Sequence, residues 1–218
     1  MVPHVSVIDP AGGVAGCENG LVGFGVRRFL VVRHGETEWN RMGRRQGRLD
    51  SPLTETGWRH AETVAGLCAA LGADSVFSSP LGRARVTADV VGSRLSLPVV
   101  VVSDLAEIDH GAFAGLTNEE IEARHPGELA RRAESRYTWS FPGGESYANA
   151  DVRAGAALDA VVATGATSPV LVTHEMIGRM LLRTLLRLDP QDAFERSLPH
   201  GSVTEVWPSD ARATTHTV

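Results

Sequence analysis

The sequence predicts an α/β fold: a three-layer sandwich with a largely parallel sheet, helices on both faces and a small helical insertion over one edge. Three observations predict it. Short apolar runs such as "FLVV", "PVVVV" and "PVLV" recur along the chain, as strands buried on both faces do. Segments with helical periodicity and capping residues separate them. Strands that alternate with helices in this way pair in parallel, because each crossover returns the chain to the same end of the sheet.

Taken in order, residues 1–26 read as a Gly-rich flexible tail ahead of a single domain, 27–218. "VAGC", Val14 to Cys17, has the outline of a lipoprotein cleavage box. No Lys or Arg precedes it, however, and "IDPAGG" breaks the apolar stretch such a signal needs. "RFLVVR" (Arg28 to Arg33) is the first buried strand. "LTETGWRHAETVAGLCAALG" is a helix with Thr54 as N-cap and Gly72 as terminator. "DSVFSS" is a strand, and "PLGRARVTADVVGSRL" a helix that runs to about Leu95 after its proline. "LPVVVV" and "PVLVTH" (Pro169 to His174) are further strands. "MIGRMLLRTLLRL" is an amphipathic helix with arginines on its outer face, and "GSVTEVW" a β-branched strand. Between Asp104 and Ala150 no strand is evident. "NEEIEARHPGELARRAES" is polar and helical and "FPGGES" turn-rich, so 104–150 read as the helical insertion.

Composition narrows the function classes. The 218 residues are 43% hydrophobic and 22% charged, which suits one globular domain with a sizeable core. A formal net charge of −5 gives no general attraction for nucleic acid or an anionic membrane. No apolar run approaches the roughly 20 residues that span a bilayer. Two cysteines, Cys17 and Cys68, cannot build a disulfide framework or a zinc site, and fit a reduced cytoplasmic setting. Exposed apolar positions on the last helices would suit a homodimer.

The strand ends carry the chemistry. In open α/β sheets ligands bind outside the carboxyl ends of the strands. Arg33 and His34 end the first strand, Ser78 and Ser79 the second with Arg83 just beyond, and His174 ends "PVLVTH". Two arginines, two histidines and two helix N-termini converge, a site for a compact dianion such as phosphate. Binding alone would need no histidine. A neutral imidazole whose other nitrogen is held by a carbonyl can attack phosphorus, and Gly35 would let the chain turn beside the ring. A carboxylic acid near the rim would then protonate the leaving alkoxide. The remaining histidines, His4, His60, His125, His200 and His216, read as solvent-facing or structural, and His110 as a residue of the pocket wall or the fold.

These residues resemble the histidine phosphatase superfamily, the phosphoglycerate-mutase-like proteins, over nearly all of Arg28 to Trp207. "RHGETEWN" is similar to the family signature, which implies His34 as phospho-accepting nucleophile and Arg33 and Asn40 as phosphate ligands. "GRLDSPLTETGWRHA" places Gln46 and Gly47 near the phosphate, "SSPLGRARVTA" carries the second arginine, Arg83, "LAEIDHGAFAG" the general acid, Glu107, and "LVTHEMIGRML" the second histidine, His174. "FPGGES" followed by Arg153 is similar to the phosphatases. The implied enzyme is a phosphomonoesterase acting on a small phosphate ester, with no metal and no cofactor.

Three positions depart from the family pattern. Glu175 stands where glycine is usual, and its side chain should turn away or meet Arg179 one turn on. Phe113 and Ala114 replace the usual aromatic and glutamate, and His110 falls at a variable position. Mutases of the family hold a second anionic group with an arginine and a lysine where this chain has Ile108 and Asn118, which favours hydrolysis over phosphoryl transfer. Arg124, Arg131, Arg132 and Arg136 are available to restore part of that charge, so the mutase reading stands as the alternative. A non-catalytic phospholigand-binding protein is the other.

Overall fold

The computed structural model describes residues 25–217 together with Val7 and Ile8. Most of the segment read as a tail, with its "VAGC" box, therefore lies outside the described residues. Seven strands form one sheet in the order β1-β4-β3-β5-β2-β6-β7. They are β1 (Val7–Ile8), β2 (Phe29–Arg33), β3 (Ser75–Ser78), β4 (Val99–Val102), β5 (Pro169–Thr173), β6 (Val203–Trp207) and β7 (Arg212–His216). β1 to β5 pair in parallel, whereas β6 and β7 add on antiparallel at one edge. The sheet is thus mostly parallel, as expected.

Alternation along the central strands builds two cores from one sheet. Phe29, Val31, Phe77 and Leu171 face one side, where α6 (Tyr147–Val162) and α7 (Glu175–Leu186) cover them. Leu30, Val32, Val76, Val170 and Val172 face the other, under α2 (Glu55–Ala70) and α3 (Gly82–Leu95). Each such side chain, fully buried, contributes about 1.5–3 kcal/mol. Both faces being dry is why the strands read as unbroken apolar runs.

Helix ends follow the sequence signals. Thr54 caps α2 by accepting from the Gly57 N–H at 2.9 Å. Ser146 caps α6 in a reciprocal box with Asn149, and Thr117 does the same with Glu120 for α4 (Asn118–Arg124). The short α1 (Glu38–Arg41), α5 (Glu128–Glu134) and α8 (Pro190–Phe194) complete the helices.

Some elements were not expected. α6 has a weak apolar stripe because much of its buried face is alanine (Ala150, Ala154 and Ala157). β7 is a half-exposed edge strand that owes its form to pairing with β6. The arginines of α7 also differ from the prediction of an outer face. Arg183 pairs with Asp151 of α6 at 2.8 Å, and Arg179 lies with its side chain only 13% exposed. The apolar positions of α7 and α8 expected to serve a dimer are instead buried. Met42, Leu49, Trp58 and Val152 are the exposed large apolar residues among the described ones, and none lies on either helix.

Candidate active site

β3, β5 and β2 are neighbours in the sheet and end level with one another, Ser78 beside Val172 and Arg33 beside Thr173. Parallel pairing therefore delivers Ser79, His174 and His34 to one rim. The rings of His34 and His174 stand 5.1 Å apart. Both are buried, and burial, with Arg83 as the next cause, holds each well below the ordinary imidazole value. Both are neutral at pH 7.

The hydrogen bonds of His34 select its tautomer. Nδ1 lies 2.7 Å from the Gly35 carbonyl, which can only accept, so Nδ1 carries the proton. Nε2 receives the Nε–H of Arg83 at 3.2 Å, so it carries a lone pair. An imidazole with a lone pair on one nitrogen and a proton on the other is the form that can attack phosphorus. Gly35 serves differently from the tight turn expected of it. Its φ is not in the left-handed region, but a Cβ there would meet the Gly57 carbonyl oxygen at 2.2 Å. The glycine lets the loop that follows His34 lie against α2.

Arg83 is held on every side. Nη1 donates to the Leu49 carbonyl at 2.7 Å and to Asp50 Oδ1 at 2.8 Å, and Nη2 to the Gly47 carbonyl at 2.8 Å. Thr87, one turn along α3, accepts from the Gly35 N–H and donates to the Arg83 carbonyl, joining the loop after His34 to the helix. His174 Nε2 pairs with Ser79 Oγ at 2.8 Å, whereas its buried Nδ1 has no partner. A phosphoryl oxygen would satisfy that nitrogen.

The helix N-termini correct one expectation. α3 and α7 do point at the rim, but neither end is open. Gly82 and Arg83 N–H groups go to Asp50, the shorter bond at 2.7 Å. Met176 and Ile177 N–H groups go to Glu107 at 3.2 and 3.1 Å. Leu81 and His174, the N-caps, supply no side-chain bond, so the first-turn donors take the nearest carboxylates.

This capping is what places Glu107 in the site. Its Oε1 also accepts the Ile108 N–H at 2.9 Å, and its charge bears on both Arg33 and Arg83. The loop that carries it is braced by Arg153, which donates to the Asp104 and Ala106 carbonyls and grips both oxygens of Glu145. Glu145 in turn accepts the Asp109 N–H at 2.9 Å. "FPGGES" and Arg153 thus act on Glu107 from outside the site.

Of the other predicted residues, Gly47 is tied to the rim through the Arg83 bond to its carbonyl. Asn40 uses its carboxamide oxygen to accept from the Thr37 N–H and hydroxyl, capping α1, and no hydrogen bond among the described residues uses its Nδ2. Gln46 is buried with Oε1 unpartnered. Gly47 has φ +54 and no room for a side chain, since a Cβ would sit 3.0 Å from His110. His110, pushed down to about 3 by burial and by Arg45 and Arg132, packs on Phe141. Glu175 meets Arg179 as expected but also pairs with Arg33, 2.9 Å from Nη1.

Residues outside the expected set are His200 and Asp50. His200, read as structural, donates from Nδ1 to the His34 carbonyl at 2.7 Å, its ring 5.4 Å from that of His34 and stacked on His60. It lies just before β6, and only the pairing of β6 with β2 brings it there. Asp50 was visible inside "GRLDSPLT", but its two duties need α3 beside it.

Comparison with known proteins decides the family. A model described as "Histidine phosphatase superfamily (branch 1)" matches residues 29–218. The chain belongs to the histidine phosphatase superfamily. It is 34% identical over 163 residues to phosphoserine phosphatase 1 of Hydrogenobacter thermophilus, covering 74% of this chain and 77% of that one. It is 37% identical to a probable phosphoglycerate mutase GpmB of Yersinia enterocolitica, covering 82% and 84%. Among solved structures, the mycobacterial glucosyl-3-phosphoglycerate phosphatase in complex with VO3 superposes with a TM-score of 0.76 at 29% identity, covering 88% and 99%. This histidine phosphatase is a phosphoric monoester hydrolase with the α/β fold its sequence predicts. No helix among the described residues is long and apolar enough to cross a membrane.

Proposed function

We propose that this histidine phosphatase hydrolyses a small metabolite phosphate whose leaving alcohol bears a second anionic group. In the first step His34 Nε2 bonds to phosphorus and the ester P–O bond breaks. Arg33, Arg83, His174 and Asn40, with Gln46 and Gly47 beside them, hold the phosphoryl oxygens, and a proton from Glu107 goes to the departing oxygen. In the second step a water oxygen bonds to phosphorus, the P–N bond breaks, and Glu107 takes the water's proton. Oε2 of Glu107, with one bond of 3.2 Å against two on Oε1, is the oxygen with capacity for that proton. No step calls for a metal. The observation that carries this reading is the tautomer of His34, with Nδ1–H spent on Gly35 and the lone pair of Nε2 turned to Arg83.

The second anion is supported by a separate group of charges. The mutase-type cations are missing, yet Arg45 donates to Oδ1 of Asn118 at 2.9 Å, at the very position of the absent lysine. Arg45 feels the charges of Arg132 and Arg136, and none of the three has a carboxylate partner among the described residues. Arg132 and Arg136 rest on the rings of Tyr147 and Phe194. Arg131, by contrast, pairs with Glu128 and faces solvent. His110 feels the charges of Arg45 and Arg132 in this cluster and of Arg83. The same cluster keeps phosphoryl transfer to an anionic acceptor as the second reading. The free, buried thiol of Cys68 suits a cytoplasmic enzyme.

The test is release of inorganic phosphate from an aryl phosphate in the presence of a chelator. Wild type is expected to turn over undiminished, and His34→Ala to lose at least about 10⁴-fold while unfolding at the wild-type temperature. Turnover retained by His34→Ala, or abolished by the chelator, refutes the assignment.

A further inference from the structure

Arg33 ends β2 with its side chain 15% exposed, and its charge bears on the rings of His34, His174 and His200. A guanidinium has five N–H donors, and those of Arg33 are unevenly used. Nη1 is ion-paired with Glu175 Oε2 at 2.9 Å, with the Leu198 carbonyl a weak second acceptor at 3.5 Å. Nε is buried without a partner, and no hydrogen bond among the described residues uses Nη2. Nε and Nη2 form the edge that grips two oxygens of a phosphoryl group side by side. A buried donor left unmet costs about 1–3 kcal/mol, which a ligand oxygen would recover.

Glu175 has a second partner. Its Oε1 accepts from Arg179 Nη2 at 2.8 Å, one turn along α7. Arg179 is as buried as Arg33, and the two guanidiniums repel. One carboxylate between them satisfies both. It also sits in the first turn of α7, directly after His174, so its backbone is fixed relative to the site.

We propose that Glu175 is a positioning residue for Arg33. By clamping Nη1 between β2 and α7, it turns the Nε and Nη2 edge toward the phosphoryl group, and Arg179 holds the clamp. This inference rests on the phosphomonoesterase reading above. It opposes the simple expectation that a carboxylate beside a phosphate site weakens anion binding, because the charge of Glu175 is already spent on two guanidiniums. Orientation of Arg33 matters most for five-coordinate phosphorus, whose oxygens are more strictly placed than those of free phosphate.

The experiment measures binding of orthovanadate and of inorganic phosphate by calorimetry, with thermal unfolding of each protein alongside. Glu175→Ala is expected to weaken vanadate about tenfold or more and phosphate about threefold or less. Glu175→Gln, which keeps an acceptor, recovers most of the loss, and kcat on an aryl phosphate falls more than KM rises. Arg179→Ala, which frees the clamp, shows the same preference for vanadate loss at smaller size. It carries the test together with Glu175→Gln if Glu175→Ala does not fold. Vanadate bound by these variants as well as by wild type, or more tightly, overturns the proposal. Failure of the underlying reading looks different, since wild type itself would then neither bind vanadate nor release phosphate.

Discussion

The rim of the sheet and the segment 104–150 both concentrate arginines, but Arg33 and Arg83 at the rim are treated differently from Arg132 and Arg136 in the segment. At the rim each guanidinium is matched by a carboxylate: Arg83 by Asp50, and Arg33 and Arg179 by Glu175. In the other region Arg132 and Arg136 lean on aromatic rings, and their charges repel that of Arg45. A matched arginine is held in place before any ligand arrives, which suits stabilisation of a transition state. An unmatched one awaits an anion, which suits selection of the substrate. Under the function proposed above, the difference assigns chemistry and specificity to separate arginine sets, and His110 feels the charges of both.

The sharpest break in this contrast is at Arg83. Arg83→Gln removes a donor from the reacting group and leaves Asp50 without its cation. Turnover on an aryl phosphate is expected to fall by about 10²–10³-fold or more. Stability is expected to fall by about 1–3 kcal/mol, because the Gly47 and Leu49 carbonyls lose their donor while Asp50, 40% exposed, is solvated. Steady-state kinetics and denaturant unfolding check both, and an effect on KM alone would place Arg83 with the selecting set.

A smaller effect is expected from the unmatched set. Arg45→Ala and Arg132→Ala should each raise KM about tenfold for a phosphorylated hydroxy acid. For an aryl phosphate without a second charge they should change KM by less than about twofold. Equal losses on both substrates would mean that these arginines serve the fold. A panel of phosphate esters with a carboxylate, a second phosphate or a neutral leaving group reads out which anion they take.

The mildest effect comes with pH. His34 and His174 are held well below 6.5, chiefly by desolvation, so the unfolded chain takes up their protons at a higher pH than the folded one does. Stability from this source is full above pH 6.5 and declines as the pH falls below it. The acid limb of kcat/KM, where His34 loses its lone pair, should likewise lie below 6.5. Thermal unfolding and kcat/KM measured from pH 4.5 to 8 test this (a range set about the imidazole value of roughly 6.5). A limb at or above 6.5 would mean that His34 is solvated.

Legibility in the sequence followed burial and periodicity. The central strands were visible because both of their faces are dry, and α2 and α3 because caps and stripes coincide. α6 was obscured by its alanines, and β7 by being an edge strand whose form is imposed by β6. Within the site, His34, Arg33, Arg83, Glu107 and His174 were named from local motifs. His200 was not, because no local pattern marks a residue that reaches the site through strand pairing 166 positions away.

By itself the sequence determined which strands end in reactive side chains, since an apolar run that stops at Arg33-His34 or Thr173-His174 assigns those residues to the rim wherever the strands lie. The tertiary structure alone decided how the charges there are shared: that Asp50 and Glu107 cap the two helices expected to bind phosphate, that Glu175 spans two arginines, and that Arg45 stands at Asn118. The physical reason is range. Hydrophobic periodicity is written in neighbours a few residues apart, whereas an ion pair or a helix cap is settled by whichever partner the assembled sheet brings within about 3 Å.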